Sequence, residues 1–327
     1  MDTVFSGIQP TGTLHVGNYL GAIRNWVSMQ DRFRCFYSIV DYHSLTADVV
    51  DAAGLPEKVF DAAVDLLACG LDPKKCVLFV QSDVSEHTEL CWILNTVAPK
   101  GELERMTQYK DKAQKQADNI NVGLFDYPVL QTADIVLYKA TRVPVGQDQL
   151  QHLELAREIV RRFNAKFGET FPEPQAIMST APKILGLDGN AKMSKSLGNT
   201  INLRESPDEI WQKLRPAVTD PARVKRTDPG NPDICNIFTL HKLFSTPDVI
   251  EWSAGGCRTA AIGCIDCKKK LHEGMVRELA PIRERAITLA AHPDDVWDVL
   301  RDGARRASEV ARATMEEVRR RVGVRRS

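Results

Sequence analysis

Over roughly the first 163 residues, short apolar runs alternate with stretches of helical periodicity, and this alternation constrains the fold more than any other feature of the sequence. The apolar runs are rich in β-branched and aromatic residues, as strands require, and they occupy residues 3–5, 34–40, 76–80 and 142–145. Strands that alternate with helices form parallel sheets, so we predict an α/β fold. Ligands of such sheets bind beyond the carboxyl ends of the strands, where residues 41–43 would lie.

The rest of the chain lacks strand-like runs. The sheet pattern stops after residue 174, and beyond the loop at residues 187–199 the pattern is helical. Ser206-Pro207-Asp208-Glu209 is a strong helix start because a capping serine precedes a proline and an acidic third position. Long helical patterns follow at residues 266–290 and 303–322. We therefore predict that the run at residues 142–145 is the last strand and that a helical region follows the sheet.

Composition and charge exclude several classes of protein. Of the 327 residues, 43% are hydrophobic and 26% are charged, which excludes a disordered or collagen-like chain. The 43 lysines and arginines balance the 43 aspartates and glutamates, so any binding to nucleic acid depends on a local basic patch. The sequence has no signal-like start and no apolar stretch of bilayer length, so we expect a cytosolic, hence cytoplasmic, protein.

The first apolar run leads into a glycine-bearing loop and then a helix, an arrangement that suits phosphate. The free N–H groups and the positive dipole end at the start of such a helix attract anions. Gly17 has no Cβ to keep a nucleotide away from the backbone, and His15 and Asn18 can donate hydrogen bonds to phosphate oxygens. Such loops are common, however, and a single histidine there is more often a capping or packed residue than a catalytic one.

A second segment suited to phosphate is the glycine-flanked loop Lys192-Met193-Ser194-Lys195-Ser196. Two lysines and two hydroxyl groups in a mobile loop can wrap a polyphosphate. The alternative is a solvated basic turn.

Two charged residues admit two interpretations each. Asp134 lies in the apolar helical run 127–138, and a buried carboxylate is costly unless a group donates hydrogen bonds to it. Asp134 is therefore either on the exposed face of the helix or paired with a ligand or partner, and the pattern favours neither. Lys112 ends a charged stretch, 101–112, that is most simply a solvated face, and contact with a nucleotide is the minority interpretation.

The eight cysteines fall into two sets. Four are scattered among apolar neighbours and suit a reducing compartment as small buried side chains: Cys35, Cys69, Cys76 and Cys91. The other four are separated by 21, 6 and 2 residues: Cys235, Cys257, Cys264 and Cys267. Four thiolates can hold zinc or a [4Fe–4S] cluster, and spacing alone favours zinc because structural zinc is commoner. Incidental clustering of four cysteines is improbable.

The two phosphate-suited segments together resemble the paired signatures of the class I aminoacyl-tRNA synthetases, and the whole chain is similar to the bacterial-type tryptophanyl-tRNA synthetases. The first signature reads Thr13-Leu14-His15-Val16-Gly17-Asn18, and the similarity continues through residues 5–10, 102–108 and 144–149 to the terminal helices. The second signature, 192–196, matches without departure. In the first, many class members have a second histidine in place of Asn18, although asparagine is usual in the tryptophanyl branch.

The resemblance implies a Rossmann-like parallel-sheet catalytic domain with a C-terminal helical anticodon-binding domain. The implied limits are 1–186 for the catalytic domain, which binds ATP and tryptophan, and 187–200 for a mobile signature loop. Residues 201–290 would form the helical tRNA-binding domain with the four cysteines, and 291–327 C-terminal helices that pack back on the catalytic domain. A homodimer is implied by the family alone.

The resemblance also implies a reaction and a set of site residues. Members activate L-tryptophan with ATP and Mg²⁺ to tryptophanyl-adenylate and pyrophosphate, and then transfer tryptophan to tRNA(Trp). The implied catalytic residues are His15, Lys112, Lys192, Ser194 and Lys195. The implied ATP contacts are Gln9, Pro10, Thr11, Gly17, Asn18, Gly146, Gln147, Asp148, Ile184, Lys192, Met193, Ser194, Lys195 and Ser196. The implied tryptophan pocket consists of Phe5, His43, Tyr127, Gln131 and Asp134, the last accepting the indole N–H.

For the clustered cysteines, the pattern resembles that of a subset of bacterial tryptophanyl-tRNA synthetases with a [4Fe–4S] cluster, which shifts our expectation from zinc to iron–sulfur. Most of the family lacks these cysteines, so the site is not needed for catalysis in general. Lys268, Lys269 and Lys270 follow the cluster and could contact phosphates of the anticodon arm.

Two other classes of protein stay open at this point. A nucleotidyltransferase of the wider fold shares the histidine-bearing loop, but such chains usually lack the second signature and the long helical region. A non-catalytic nucleic-acid-binding paralogue is the other, and the intact lysines and His15 argue against it. Tyrosine is the closest alternative substrate.

Overall fold

The computed structural model describes residues 1–46, 51–115, 120–178 and 184–324, without the side chains of Asp111, Lys112, Lys115 and Ser196. The roles expected of the Lys112 and Ser196 side chains therefore lie outside the described part of the chain. Within that part, no helix combines the length and the apolar character needed to cross a membrane.

Among the described residues, the sheet has five parallel strands in the order β3-β2-β1-β4-β5. They are β1 (Thr3–Ile8), β2 (Arg34–Ile39), β3 (Cys76–Val80), β4 (Arg142–Val145) and β5 (Gln175–Met178). The predicted parallel α/β fold is confirmed. The prediction that the strand at residues 142–145 is the last was wrong, because β5 pairs with β4 along its whole length. β5 is an edge strand with no fully buried residue, so it lacks the apolar run that marks the other strands.

The helices are α1 (Val16–Asn18), α2 (Arg24–Met29), α3 (Asp41–Ser44), α4 (Leu55–Ala68), α5 (Glu86–Asn95), α6 (Lys100–Arg105), α7 (Thr107–Lys115), α8 (Val122–Leu137), α9 (Leu150–Phe167), α10 (Pro207–Leu214), α11 (Asn236–Phe244), α12 (Pro247–Arg258), α13 (Cys264–Ala290) and α14 (Pro293–Val322). A π-helical turn, Tyr19–Ile23, connects α1 to α2. The predicted helix start before α10 is present as a capping box, in which Ser206 and Glu209 bond to each other's backbone N–H groups.

The chain forms two compact units, and the first contains the sheet. Its limits are Met1–Gly12, Asn25–Thr180 and His292–Ser327, so the C-terminal helix α14 belongs with the sheet. Gly303 of α14 lies against the backbone of β3, where a Cβ atom would stand only 1.8 Å from the carbonyl oxygen of Leu78. Only glycine allows this close contact between helix and strand.

The second unit is helical and contains Thr13–Arg24 and Ala181–Ala291. Its core lies along α13, where Leu271, Met275 and Leu279 are fully buried. The early segment joins it through backbone hydrogen bonds, from Val16 N to Ile201 O at 2.9 Å and from Leu203 N to Leu14 O at 2.9 Å. The first signature and the second signature therefore lie in the same unit, although almost 180 residues of sequence separate them.

Candidate active site and four-cysteine site

A cavity of about 350 Å³ lies in the first unit, beside the carboxyl-terminal ends of the central strands. Its wall includes all five residues of the expected tryptophan pocket: Phe5, His43, Tyr127, Gln131 and Asp134. Phe5 lies on β1, and His43 lies on α3 directly after β2. The other three lie on α8 at intervals of four and three residues, which places them on one face of that helix. The volume is within the range of small-molecule sites.

Asp134 is the most constrained polar group of the cavity, with only 1% of its surface exposed. Its Oδ2 accepts a hydrogen bond from His43 Nε2 at 2.8 Å, and its Oδ1 accepts from Gln81 Nε2 at 2.7 Å and from His87 Nδ1 at 2.6 Å. Of the two interpretations that the sequence left open, the exposed face is thus excluded. Burial raises the pKa of Asp134, but hydrogen bonds from His43 and His87 outweigh burial and hold it well below the usual range.

Other polar side chains line the same cavity. The hydroxyl group of Tyr127 is hydrogen-bonded to His152 Nε2 at 2.8 Å, and burial raises the pKa of Tyr127 to about 12. Gln9 donates from Nε2 to the carbonyl oxygen of His43 at 3.3 Å. Because its pKa is raised, Tyr127 stays neutral at physiological pH. The cavity therefore combines the anionic carboxylate of Asp134 with several neutral hydrogen-bonding groups.

His15 and Asn18 of the first signature form a reciprocal cap at the start of α1. The backbone N–H of Asn18 donates to His15 Nδ1 at 3.3 Å, and the backbone N–H of His15 donates to Asn18 Oδ1 at 3.1 Å. Burial, with the nearby charges of Lys195 and Lys192, lowers the pKa of His15 to about 4. His15 is therefore neutral, and since Nδ1 accepts a hydrogen bond, the proton is on Nε2, which can donate to an anion.

The second signature forms a loop that is closed by Asn199. The backbone N–H of Ser194 donates to Asn199 Oδ1 at 2.8 Å, and Asn199 Nδ2 donates to Asp188 Oδ1 at 3.1 Å and to the Lys192 carbonyl oxygen at 3.4 Å. Asn199 is buried, whereas Lys192 is exposed and Lys195 half-buried. Hydrogen bonds with the amide side chain of Asn199 thus hold the backbone of the loop that carries the two lysines.

The remaining residues expected to contact ATP have varied surroundings. Met193 is buried, and its Cβ would lie 3.2 Å from a Cβ placed on Gly17, so these two signature residues pack together. Ile184 is also buried, and its carbonyl oxygen accepts from Met193 N at 3.3 Å. In the first unit, Pro10 is buried, Gly146 half-buried, and the exposed positions are Thr11, Gln147 and Asp148. The side chains of Met193 and Ile184 therefore contribute packing rather than polar contacts.

The four clustered cysteines line one small cavity in the second unit, together with Arg223. Ser253 Oγ lies 3.2 Å from Cys267 Sγ, and Arg223 Nη1 donates to Cys257 Sγ at 3.9 Å. Among the residues that the structure describes, no three His, Cys, Asp or Glu side chains have the geometry to hold a metal ion. As a donor set, however, four thiols round one cavity suit the thiolate ligation of zinc or of an iron–sulfur cluster.

The lysines after the cysteines are not equivalent. Lys268 is buried, and its Nζ donates to the carbonyl oxygens of Arg215 at 2.7 Å and Ala217 at 2.6 Å. Lys268 therefore holds the end of α10 and is not available for phosphate. Lys270 pairs with Glu273 at 2.8 Å, and Lys269 is exposed.

Sequence reasoning missed several residues that the structure places in or beside these sites. They are Gln81 and His87 at the carboxylate of Asp134, Gln108, Gln149 and His152 at the cavity wall, and Asn199 in the signature loop. Gln81 and His87 precede Asp134 by 53 and 47 residues, so no local pattern connects them. Gln108 and Gln149 do end two of the segments on which the family resemblance was based.

Comparison with known proteins gives one consistent result. The family profile "tRNA synthetases class I (W and Y)" matches residues 2–280. The chain is 54% identical to the tryptophan–tRNA ligase of Deinococcus radiodurans over 327 residues, which cover 99% of each protein. It is 48% identical to that of Thermotoga maritima, over 97% of this chain and 98% of the relative.

A solved structure agrees with these relatives. The tryptophanyl-tRNA synthetase of Campylobacter jejuni, complexed with ADP and tryptophan, superposes with a TM-score of 0.89 at 37% identity, over 98% of this chain and 99% of that one. From the profile, the full-length relatives and the fold, this chain belongs to the bacterial-type tryptophanyl-tRNA synthetases of class I.

Proposed function

We propose that, in this tryptophan–tRNA ligase, the cavity selects tryptophan and the signature loops activate it. The enzyme converts L-tryptophan and ATP to tryptophanyl-adenylate and pyrophosphate, and then transfers tryptophan to tRNA(Trp). The observation that carries the proposal is the buried, anionic Asp134 at the wall of a cavity of amino acid size. Because its substrates belong to translation, we propose a cytoplasmic location.

Tryptophan recognition rests on the cavity of the first unit. Asp134 accepts the indole N–H, which a phenylalanine or tyrosine ring cannot supply at that position. Phe5 contributes apolar wall, and the hydrogen-bonding groups of Tyr127, Gln131 and His43 suit the amino and carboxylate groups of a free amino acid. A site that hydrogen-bonds a substrate group can reject analogues without it by about 10⁴-fold.

Activation requires that a carboxylate oxygen of tryptophan attack the α-phosphorus of ATP in line. The bond from that phosphorus to the bridging oxygen breaks, and pyrophosphate leaves with increasing negative charge. We assign the stabilisation of that charge to His15, Lys192, Ser194 and Lys195, because the neutral Nε2–H donor of His15 and the two lysine cations lie in one unit. The role of Lys112 at ATP stays an expectation from the family.

The remaining ATP contacts are assigned within each unit. In the first, residues 9–11 and 146–148 would contact ATP, with 146–148, together with Ile184 of the second unit, assigned to its adenosine side. In the second, Gly17 and Asn18 offer backbone and side-chain groups at the start of α1, while Ile184 and Met193 shape the loop and Ser196 completes the second signature. Mg²⁺ would arrive on the phosphate oxygens and neutralise part of their charge.

An ATP–pyrophosphate exchange assay with each amino acid tests this function. The proposal expects exchange with tryptophan alone at micromolar to low millimolar concentration. Exchange that is as fast with tyrosine, or no exchange with any amino acid, would contradict it. Aminoacylation of a tRNA(Trp) transcript then checks the second step.

We also propose that the helical second unit binds the anticodon region of tRNA(Trp) and holds a [4Fe–4S] cluster on Cys235, Cys257, Cys264 and Cys267. The four thiol groups that line one cavity match the four thiolate ligands that such a cluster needs, and zinc is the alternative metal. When bound, the cluster would fix the loop and helix ends that carry these cysteines. Iron and sulfide in anaerobically purified protein, with an absorption band at about 400 nm, would support the cluster. Zinc alone would overturn it.

A homodimer is proposed from the family and from apolar side chains exposed on adjacent helices of the first unit. Trp92 on α5 is 74% exposed and Val122 at the start of α8 is 80% exposed. Asn95 and Asp126, which are hydrogen-bonded at 2.9 Å, connect the same two helices. Exposed aromatic side chains of this size are typical of protein interfaces. Light scattering of Trp92→Glu, compared with the unmodified protein, tests this: a dimer that persists unchanged would remove Trp92 from the interface.

A further inference from the structure

We infer that His87 is a positioning residue that holds one oxygen of the Asp134 carboxylate so that the other oxygen is presented to the indole N–H of tryptophan. The inference rests on the proposed role of Asp134 and names a residue outside the cavity wall.

The two oxygens of Asp134 have different surroundings. Oδ1 accepts from Gln81 and His87, and neither of these residues lines the cavity. Oδ2 accepts from His43, which does line it. Oδ2 is therefore the oxygen on the cavity side. An ionised carboxylate offers about four acceptor positions, and three are filled by described side chains, so one remains, on Oδ2.

His87 is held more firmly than Gln81. It is fully buried, and its Nδ1 donates to Asp134 at 2.6 Å while its Nε2 lies 2.8 Å from the hydroxyl oxygen of Tyr138. Because Nδ1 donates to the ionised carboxylate, Nε2 is left to bond the Tyr138 hydroxyl group, and the two contacts together fix the imidazole ring. Burial raises the pKa of Tyr138 well above its usual value, so its hydroxyl group stays protonated.

Tyr138 is itself fixed by aromatic packing. Its ring is stacked on Phe36 with centroids 4.5 Å apart and on Phe5 with centroids 5.6 Å apart. Phe5 also lines the cavity. The chain of hydrogen bonds from Tyr138 through His87 to Asp134 therefore ends at the sheet core, and the carboxylate cannot rotate without breaking buried hydrogen bonds. Loss of such a bond to a charged group costs enough to be measured.

The test measures how well the enzyme distinguishes tryptophan from the analogue in which sulfur replaces the indole N–H. The ratio of kcat/KM for the two amino acids in ATP–pyrophosphate exchange reports the indole N–H contact alone. For His87→Leu we expect the ratio to fall about tenfold, with the KM for ATP unchanged. For His87→Asn, whose amide can donate near the position of Nδ1, we expect most of the ratio to return.

Two further variants keep the test decisive if His87→Leu does not fold. Tyr138→Phe removes one hydroxyl from an otherwise unchanged ring, and we expect the ratio to fall about two- to fivefold. Leu90→Met is the matched control, because Leu90 is a fully buried apolar residue on α5, the helix that also carries His87. This variant should leave the ratio unchanged.

The outcomes are distinguishable. Equal losses for both amino acids and for ATP in the His87 and Tyr138 variants, with the ratio unchanged, would make His87 merely structural and overturn the inference. A ratio near one in the unmodified enzyme would instead show that Asp134 does not read the indole N–H, and the proposed recognition would fall with the inference.

Discussion

The cavity of the first unit and the signature loop of the second hold their charged groups in opposite ways. In the cavity, the one anion is buried and accepts three side-chain hydrogen bonds before any substrate arrives. In the loop, Lys192 is exposed and Lys195 half-buried, and the hydrogen bonds of Asn199 go to loop backbone and to Asp188. A hydrogen-bond acceptor that is held in position before binding is suited to distinguishing one amino acid from another. Cations on a loop are suited to stabilising negative charge that develops only during the reaction.

The largest effect is expected from Lys195→Ala, which removes one cation from the loop and leaves the cavity untouched. We expect kcat for ATP–pyrophosphate exchange to fall about 10²- to 10³-fold, because the contact to pyrophosphate strengthens in the transition state. The dissociation constant for tryptophan, measured by equilibrium dialysis, should stay within about twofold. Equal losses in both quantities would remove the distinction between the two regions.

A smaller effect, of a different kind, is expected from Asp134→Asn. The amide keeps the shape but loses the charge and one acceptor, so we expect kcat/KM for tryptophan to fall about 10- to 100-fold while some activation remains. Selectivity against tyrosine and phenylalanine should decline with it. Competition assays with all three amino acids measure this, and unchanged selectivity would take Asp134 out of the pocket.

Asn199→Ala tests whether the loop backbone must be held for the lysines to act. It removes the hydrogen bonds to Ser194, Asp188 and Lys192, and we expect kcat to fall roughly tenfold with tryptophan affinity preserved. Asn190→Ala is the matched control, because Asn190 is exposed in the same loop. If both variants behave alike, Asn199 does not organise the loop.

A last effect concerns folding stability and its dependence on pH, and leaves the comparison of the two regions unchanged. The pKa of His15 is lowered to about 4 from 6.5, so the unfolded chain binds the proton more tightly than the folded one. The contribution of neutral His15 is therefore complete above pH 6.5 and is lost as the pH falls towards 4. Denaturant unfolding of His15→Gln should show a free energy that depends less on pH across this window, by roughly 1–3 kcal/mol. Parallel curves for the two proteins would contradict this.

Local pattern was enough to predict most of the sheet and both signatures. Strands β2 and β3 are buried along almost their whole length, and β1 and β4 have two buried residues each, so all four contain apolar runs, whereas β5 is an edge strand with no buried residue and no such run. The signatures were found because each is a contiguous segment whose residue types suit phosphate.

The rest depends on long-range contacts that no local pattern contains. Residues 13–24 belong to the helical unit, to which backbone hydrogen bonds with Ile201 and Leu203 join them. Because every residue has the same backbone groups, the sequence does not indicate where such bonds form. The partners of Asp134 are equally distant in sequence, and a buried histidine such as His87 has no pattern that distinguishes it from an exposed one. The sequence left the burial of Asp134 open for the same reason.

The most direct test of the division between the two regions compares Lys195→Ala and Asp134→Asn in one exchange assay with tryptophan and its sulfur analogue. We expect Lys195→Ala to lower kcat for both amino acids by the same large factor and to leave their ratio intact. We expect Asp134→Asn to bring the ratio close to one with a smaller loss of kcat. If both variants lowered kcat and the ratio to the same extent, selection of tryptophan and its activation would not be separate functions of the two regions.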